Sequence, residues 1–139
     1  MLRTLLVEDS KLFVVRLSAA LEEIPGLAIA GLAASLSEAR AAIAAHPWAN
    51  LIVLDLGLRG ESGVDLLREL TPGTARATIL VLTNDATPAV RKACLALGAD
   101  GCFDKTLEFP EFLEKGGELS RNSPTIEPDD PTPTSAVPR

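Results

Sequence analysis

Short apolar runs alternate with segments of helical periodicity up to about residue 120. Each run has the length of a β-strand, and the middle runs are apolar at consecutive positions, which is typical of strands buried on both faces of a parallel sheet. The pattern predicts five strands, at residues 3–7, 27–33, 50–55, 78–83 and 100–103.

The segments between and after these runs predict five helices. In residues 10–24 the apolar side chains recur on one helical face, namely Phe13, Leu17, Leu21 and Ile24. Residues 35–46 begin with the capping box SLSE, Ser62 with Asp65 can cap a third helix, and Thr87–Pro88 supplies an N-cap and a first-turn proline for a fourth.

The fifth predicted helix covers residues 109–120 and contains Gly116 and Gly117. A glycine inside a helix costs about 1 kcal/mol relative to alanine. We therefore expect this helix to be short or frayed.

Strands that alternate with helices in this way predict an α/β fold, a doubly wound five-stranded parallel sheet with helices on both faces. The chain of 139 residues, 47% of them hydrophobic, suits a single domain, placed at residues 1–120. Residues 121–139 hold five of the ten prolines and little to bury, so they are expected to form a disordered tail or linker.

Composition narrows the class of partner. The net charge of −6 argues against nucleic-acid binding through this domain, which needs cationic contacts to phosphates. No apolar run approaches the roughly 20 residues of a membrane span, and the early acidic residues argue against a signal peptide, so a cytoplasmic location is expected. Cys94 and Cys102 lack CxxC spacing and are expected to be small buried or half-buried residues, not zinc ligands or a disulfide.

Polar residues lie at the carboxyl ends of four of the predicted strands. Glu8 and Asp9 follow the first, Asp55 the third and Lys105 the fifth, while Thr83 ends the fourth. If strands 1 and 3 are neighbours, as in the strand order 2-1-3-4-5, the three carboxylates converge at the carboxyl edge of the sheet, where such folds bind ligands. Clustered carboxylates recruit a cation, and hard oxygen donors favour Mg²⁺ completed by a phosphate. Thr83 can then donate a hydrogen bond, and Lys105 offers a positive charge to an anion.

Simpler interpretations exist for single residues. Glu8 and Asp9 could only cap the first helix, because its dipole favours acidic groups there. Asp55 could be a turn residue. These interpretations would all have to apply at several strand ends together.

Four stretches resemble, in their order and spacing, the receiver domain of bacterial two-component response regulators: LLVEDS, LIVLDLGLRGESGVDLL, VLTNDA and GADGCFDK. The resemblance spans roughly residues 2–118 and implies a flavodoxin-like fold. It implies a domain that takes a phosphoryl group from a phosphohistidine and catalyses only its own phosphorylation and dephosphorylation. Asp55 would be the phosphoacceptor, Thr83 would bind a phosphoryl oxygen, and Lys105 would pair with Asp55 or its phosphate.

The resemblance also implies a metal and partners. Mg²⁺ would be bound by Asp9 directly, by Glu8 through water, by the Gly57 carbonyl and by Asp55. The phosphodonor would be a sensor histidine kinase or a histidine phosphotransfer protein. A downstream protein or a second copy would dock on the face formed by helix 4, strand 5 and helix 5.

Two positions depart from the family pattern. Thr106 replaces the proline that commonly follows the lysine, and Cys102 replaces the aromatic residue of strand 5. Phe103 falls on the opposite strand face by alternation, where we expect it in the core. Without a ring at Cys102, the signal is expected to pass through residues 84–88 and helix 4, with Arg91 and Lys92 exposed.

Two alternatives belong to other functional classes. A pseudo-receiver would keep the fold as an interaction module without phosphorylation. A Mg²⁺-dependent phosphohydrolase of the haloacid dehalogenase type would need D-x-D-x-[TV] after strand 1, where this chain has VEDSK, and a cap domain.

Overall fold

A computed structural model describes residues 1–58, 60–70 and 77–123. Strands and helices alternate through these residues. The strands are β1 (Leu2–Val7), β2 (Leu27–Ala33), β3 (Leu51–Leu54), β4 (Thr78–Thr83) and β5 (Gly101–Asp104). The helices are α1 (Lys11–Glu22), α2 (Leu36–Ala45), α3 (Gly63–Leu70), α4 (Pro88–Ala96) and α5 (Phe109–Asn122).

The five strands form one parallel sheet in the order β2-β1-β3-β4-β5, which confirms the predicted fold class. Val7 at the end of β1 lies beside Leu54 at the end of β3. Thr83 at the end of β4 pairs with Asp104 at the end of β5. Because parallel strands end at the same edge, the residues that follow them meet there.

The sheet separates two hydrophobic cores, which explains why the middle strands are apolar at every position. Ile52 and Leu54 of β3 face the core that includes buried residues of α2, α3 and α4. Leu51 and Val53 face the other core, which includes buried residues of α1 and α5. Alternate side chains of a strand point to opposite faces, so each strand supplies both cores.

Short polar side chains start the helices where the sequence predicts. The hydroxyls of Ser10, Ser35 and Thr87 accept hydrogen bonds from backbone N–H groups in the first turns of α1, α2 and α4. The Ser62 hydroxyl accepts one from Val64 in α3. Because Ser10 is the N-cap of α1, the two preceding carboxylates are not needed as the cap.

The expectation of a short or frayed α5 is wrong, since this helix has 14 residues. Gly116 is buried, and a Cβ atom added there would lie 3.3 Å from Ile24 Cδ1. The glycine thus lets α5 pack closely on the residues that follow α1, and Phe112 is fully buried nearby. Tertiary packing outweighs the low helix propensity of the glycines.

The predicted boundary between the domain and its tail lies near the end of α5. Helix α5 continues through Asn122, two residues beyond the expected domain boundary at residue 120. The remainder of the predicted tail, residues 124–139, lies outside the described residues. Within the part of the chain that the structure describes, no helix is both long enough and apolar enough to cross a membrane.

Candidate functional site

Three carboxylates meet at the carboxyl edge of the sheet. Glu8 and Asp9 follow β1 and Asp55 follows β3, and each offers an oxygen within 4.8 Å of the other two. Glu8 and Asp55 are only 5% and 6% exposed, while Asp9 is half-buried. The structure therefore brings together the carboxylates that the strand order predicts to converge.

Lys105 places its ammonium group among these carboxylates. Its Nζ atom lies 2.6 Å from Glu8 Oε1 and 3.2 Å from Asp55 Oδ2, and its side chain is 9% exposed. Burial by itself would lower the pKa of Lys105, but the hydrogen bond with Glu8 and the charge on Asp55 outweigh it and raise that pKa. The ammonium thus stays charged and partly balances the acids.

Glu8 is held from two sides. One carboxylate oxygen contacts Lys105, and the other accepts a hydrogen bond of 2.9 Å from the Ser10 backbone N–H. Burial raises the pKa of Glu8 and the charge of Asp55 adds to that rise, and the two hydrogen bonds reverse it only in part. A cation that shields Glu8 from the charge of Asp55 would favour the ionised form of Glu8.

Backbone contacts fix the position of Asp55. Its N–H donates to the carbonyl of Val7 at 3.0 Å, which continues the pairing of β1 with β3. The Gly57 N–H donates to Asp55 Oδ1 at 3.1 Å, while Oδ2 faces Lys105. At Gly63 a Cβ atom would collide with the Asp55 carbonyl oxygen, so only glycine lets α3 begin this close to the aspartate.

Thr83 connects β4 to Lys105. Its carbonyl accepts a hydrogen bond of 2.9 Å from the Lys105 backbone N–H. Its hydroxyl accepts one of 3.3 Å from the Asp85 N–H, and the residue is 3% exposed. Thr83 and Gly57 line the same cavity of about 290 Å³.

The donor set can hold a metal ion. Glu8, Asp9 and Asp55 supply only carboxylate oxygens, which are the donors that small hard cations prefer. Two of the three are buried, and their like charges exceed the single charge of Lys105. A divalent cation would remove that imbalance.

The structure adds a residue at this site that the sequence assigned only to the helix face. Lys105 Nζ lies 4.5 Å from the centre of the Phe13 ring. Phe13 is half-buried in the first turn of α1, which starts just after the acidic pair. The position of Phe13 in the first turn of the helix that follows the acidic pair was the sequence signal that could have identified it as a site residue.

The prediction that Arg91 is exposed is wrong, whereas Lys92 is exposed as expected. The Arg91 guanidinium donates to the carbonyls of Ala86 and Cys102 at 3.0 and 2.9 Å. It also pairs with Glu108 at 2.5 Å. Helix α4 turns this side chain toward β5, where backbone carbonyls and an acid satisfy its donors.

Cys94 and Cys102 are free thiols that are 1% and 8% exposed, as predicted. Burial raises the pKa of Cys102 to about 11. Cys102 faces the core shared with α4, and Phe103 packs against the opposite core, which confirms the predicted alternation.

A doubly wound sheet with an acidic cluster and a lysine at its carboxyl edge is typical of a class of signalling domain. The family model of the response regulator receiver domain matches residues 4–115. The chain therefore belongs to the response regulator receiver domain family.

Curated relatives are longer than this chain. It is 39% identical over 74 residues to the two-component response regulator PhoP of Pseudomonas aeruginosa, covering 53% of this chain and 33% of PhoP. It is 30% identical over 112 residues to the transcriptional regulatory protein MalR of Bacillus subtilis, covering 81% of this chain and 47% of MalR. The chain thus matches a third to about half of the length of these relatives.

Solved structures agree with the family. A signal receiver domain from Colwellia psychrerythraea superposes with a TM-score of 0.77 at 27% identity, covering 87% of this chain and 99% of that one. A response regulator from Burkholderia pseudomallei, solved with a phosphorylated aspartic acid, a calcium ion and citrate, superposes with a TM-score of 0.69 at 26% identity. That comparison covers 88% of this chain and 70% of the other.

Proposed function

We propose that this receiver domain accepts a phosphoryl group from a phosphohistidine onto Asp55 in a Mg²⁺-dependent reaction. The observation that carries the proposal is the position of Asp55 beside both the Lys105 ammonium and two further carboxylates. A buried carboxylate beside a positive charge and a cluster of metal donors suits an acceptor that becomes doubly negative.

The chemistry assigns a role to each site residue. An Asp55 carboxylate oxygen attacks phosphorus, the phosphorus–nitrogen bond to the donor imidazole breaks, and the bond electrons leave with that imidazole. Lys105 neutralises charge on the incoming group, and the Thr83 hydroxyl donates a hydrogen bond to a phosphoryl oxygen.

Mg²⁺ suits the donor set because it is a hard cation that binds a few carboxylates and keeps several waters. Asp9 would bind it directly, Glu8 through water, and Asp55 and the Gly57 carbonyl would complete the protein ligands. When bound, the ion would supply charge neutralisation at the phosphoryl oxygens. The protein residues still orient the acceptor, because Gly57 and Lys105 each contact one Asp55 oxygen.

The Burkholderia relative supports this assignment. It was solved with a phosphorylated aspartic acid and a calcium ion, so a similar fold accommodates a phosphoryl group on aspartate. We extend that chemistry to Asp55, which follows the middle strand of the sheet here.

The proposed partners are proteins. A sensor histidine kinase or a histidine phosphotransfer protein would donate the phosphoryl group in the cytoplasm. A downstream protein or a second copy would dock on the face of α4, β5 and α5, while the domain would bind neither nucleic acid nor membrane. The receiver expected at residues 1–120 would extend to the end of α5 at Asn122, and the residues after it would form a linker or tail. Catalysis would be limited to the domain's own phosphorylation and dephosphorylation.

Mass spectrometry after incubation with acetyl phosphate and Mg²⁺ tests the proposal. The wild type should gain one phosphoryl group that is stable in acid and labile in base, and Asp55→Asn should gain none. Asp65→Asn is a matched control at an exposed position of α3 and should label like the wild type. Equal labelling of Asp55→Asn would refute the assignment, and no labelling even with a cognate kinase would favour an interaction module.

A further inference from the structure

All four phenylalanines of the chain belong to one series of ring contacts that starts at Lys105. The Phe13 ring lies under the ammonium, with 4.5 Å from Nζ to the ring centre. The ring centres of Phe13 and Phe109 are 6.0 Å apart. Those of Phe109 and Phe112 are 5.8 Å apart, and those of Phe112 and Phe103 are 5.9 Å apart.

The Phe13 ring differs from the other groups that contact the Lys105 ammonium, because it is not a metal ligand. Glu8 and Asp55 bind the same Nζ atom, but both also belong to the candidate metal cluster. A cation in that cluster would compete with Lys105 for their oxygens. The face of an aromatic ring attracts a cation and offers no carboxylate to a metal, so this contact is independent of the cluster.

The Phe13 ring is itself fixed by its neighbours. Phe109 meets it edge-on at an interplanar angle of 70°, and Phe109 stacks on the fully buried Phe112. Edge-to-face and offset-stacked contacts are the preferred geometries of aromatic pairs. Helix α5 thus supports the orientation of a ring on α1.

We propose that Phe13 is a positioning residue for Lys105. Its ring face holds the ammonium near Asp55 while the carboxylates exchange partners during metal binding and phosphorylation. The Lys105 side chain is 9% exposed, and the attraction of a cation to a ring is strongest where water is excluded. The inference rests on the proposed function and extends it to a residue outside the acidic cluster.

Three variants separate the ring face from apolar bulk. Phe13→Leu keeps an apolar side chain and removes the ring, whereas Phe13→Tyr keeps the ring. Phe103→Leu is the matched control, because it removes a half-buried ring of the same series whose ring contact is with Phe112. Thermal melts establish that each variant is folded before it is compared.

Two measurements decide the proposal. In nuclear magnetic resonance spectra the Lys105 ε-methylene protons should show an upfield ring-current shift in the wild type, Phe13→Tyr and Phe103→Leu, and lose it in Phe13→Leu. The rate of labelling by acetyl phosphate at fixed Mg²⁺ should fall about three- to tenfold in Phe13→Leu and stay within about twofold in the other two.

The outcomes distinguish this proposal from the proposed function. A Phe13→Leu protein that keeps either the wild-type shift or the wild-type rate overturns the role of Phe13. A wild type that takes no phosphoryl group overturns the proposed function and with it this role. That holds even if the ring-current shift shows that the Phe13 ring lies beside the Lys105 side chain. Should Phe13→Leu not fold, a nuclear Overhauser contact between the Phe13 ring and the Lys105 ε-methylene decides: its persistence with and without Mg²⁺ supports the proposal, and its loss on adding Mg²⁺ overturns it.

Discussion

Lys105 Nζ lies 2.6 Å from Glu8 Oε1 and 3.2 Å from Asp55 Oδ2, so the lysine is nearer to Glu8 than to Asp55, the proposed phosphoacceptor. The family resemblance implied a pair with Asp55 or its phosphate. The structure adds Glu8, so before a metal binds Lys105 partly balances the charges of both acids.

Replacing Lys105 should therefore destabilise the metal-free protein. Lys105→Met leaves Glu8 and Asp55 buried without their cation, and we expect the free energy of unfolding to fall by about 3 kcal/mol. Urea denaturation with a chelator measures this loss, and added Mg²⁺ should stabilise the variant more than the wild type. Lys115→Met, which removes a weak pair at 3.8 Å, should change stability by less than about 1 kcal/mol. Equal stability of the wild type and Lys105→Met would contradict the prediction.

The metal site can be tested without phosphorylation. Mg²⁺ that binds only the folded state should raise Tm. At a hundredfold excess over Kd, it should add about 2.7 kcal/mol to the free energy of unfolding. Asp9→Asn should abolish most of that rise, because it removes a carboxylate of the cluster. The exposed-surface variant Asp65→Asn should keep it. A full Mg²⁺ effect in Asp9→Asn would place the site elsewhere.

Arg91 should contribute to stability through geometry as well as charge. Arg91→Lys keeps the charge, but an ammonium cannot reproduce the planar set of bonds to Ala86, Cys102 and Glu108. We expect a lower urea midpoint for this variant and an unchanged midpoint for Lys92→Met, its exposed neighbour. If both variants unfold at the wild-type midpoint, the Arg91 bonds do not stabilise the fold.

The same pair should make stability depend on pH. The hydrogen bond from Arg91 is the main reason that the pKa of Glu108 lies below its ordinary 4.5. A carboxylate with a lowered pKa stabilises the fold above its unfolded-state pKa and loses that effect as the pH falls through the folded-state value. The difference in unfolding free energy between the wild type and Arg91→Lys should therefore shrink as the pH falls below 4.5. A difference that stays constant over that range would rule out the contribution of Glu108.

The two glycines of α5 should respond differently to alanine. At Gly117 the nearest atom to an added Cβ is the flexible Arg121 Nη1 at 3.4 Å, so Gly117→Ala should raise the free energy of unfolding by about 0.5–1 kcal/mol. At Gly116 the new atom meets the Ile24 side chain at 3.3 Å, and that contact should cancel the gain or reverse it. Equal gains at both positions, measured by denaturation, would show that the close packing at Gly116 is unimportant.

The switch should operate without a moving ring in β5. On phosphorylation we expect the Thr83 hydroxyl to leave the Asp85 N–H and turn toward the phosphoryl group, while Phe103 stays against Phe112. The side chain of Cys102 is too small to follow the movement of Thr83. The signal should therefore pass through residues 84–88 to Arg91, which donates a hydrogen bond to the Ala86 carbonyl. Crystal structures with and without beryllofluoride would show the positions of the Thr83 and Phe103 side chains in the two states. A Phe103 ring that changes rotamer while residues 84–88 stay in place would contradict this path.

Local patterns in the sequence determined the strands, the helix starts and the strand ends that carry polar residues. Consecutive apolar residues predict β3 because a strand buried on both faces needs them, and Ser35 and Thr87 predict helix starts because their hydroxyls satisfy free N–H groups. The convergence of Glu8, Asp9 and Asp55 followed from the strand order alone, since parallel strands end at one edge.

Only the tertiary structure decided which partner each of these side chains contacts. Lys105 is nearer to Glu8 than to Asp55, Arg91 turns inward to β5, and Gly116 lies against Ile24 in a full-length α5. Each of these outcomes depends on the separation and angle between elements far apart in the chain. Periodicity and capping specify where an element begins and which face it buries, but distances of a few ångströms between elements are set by how their side chains pack together.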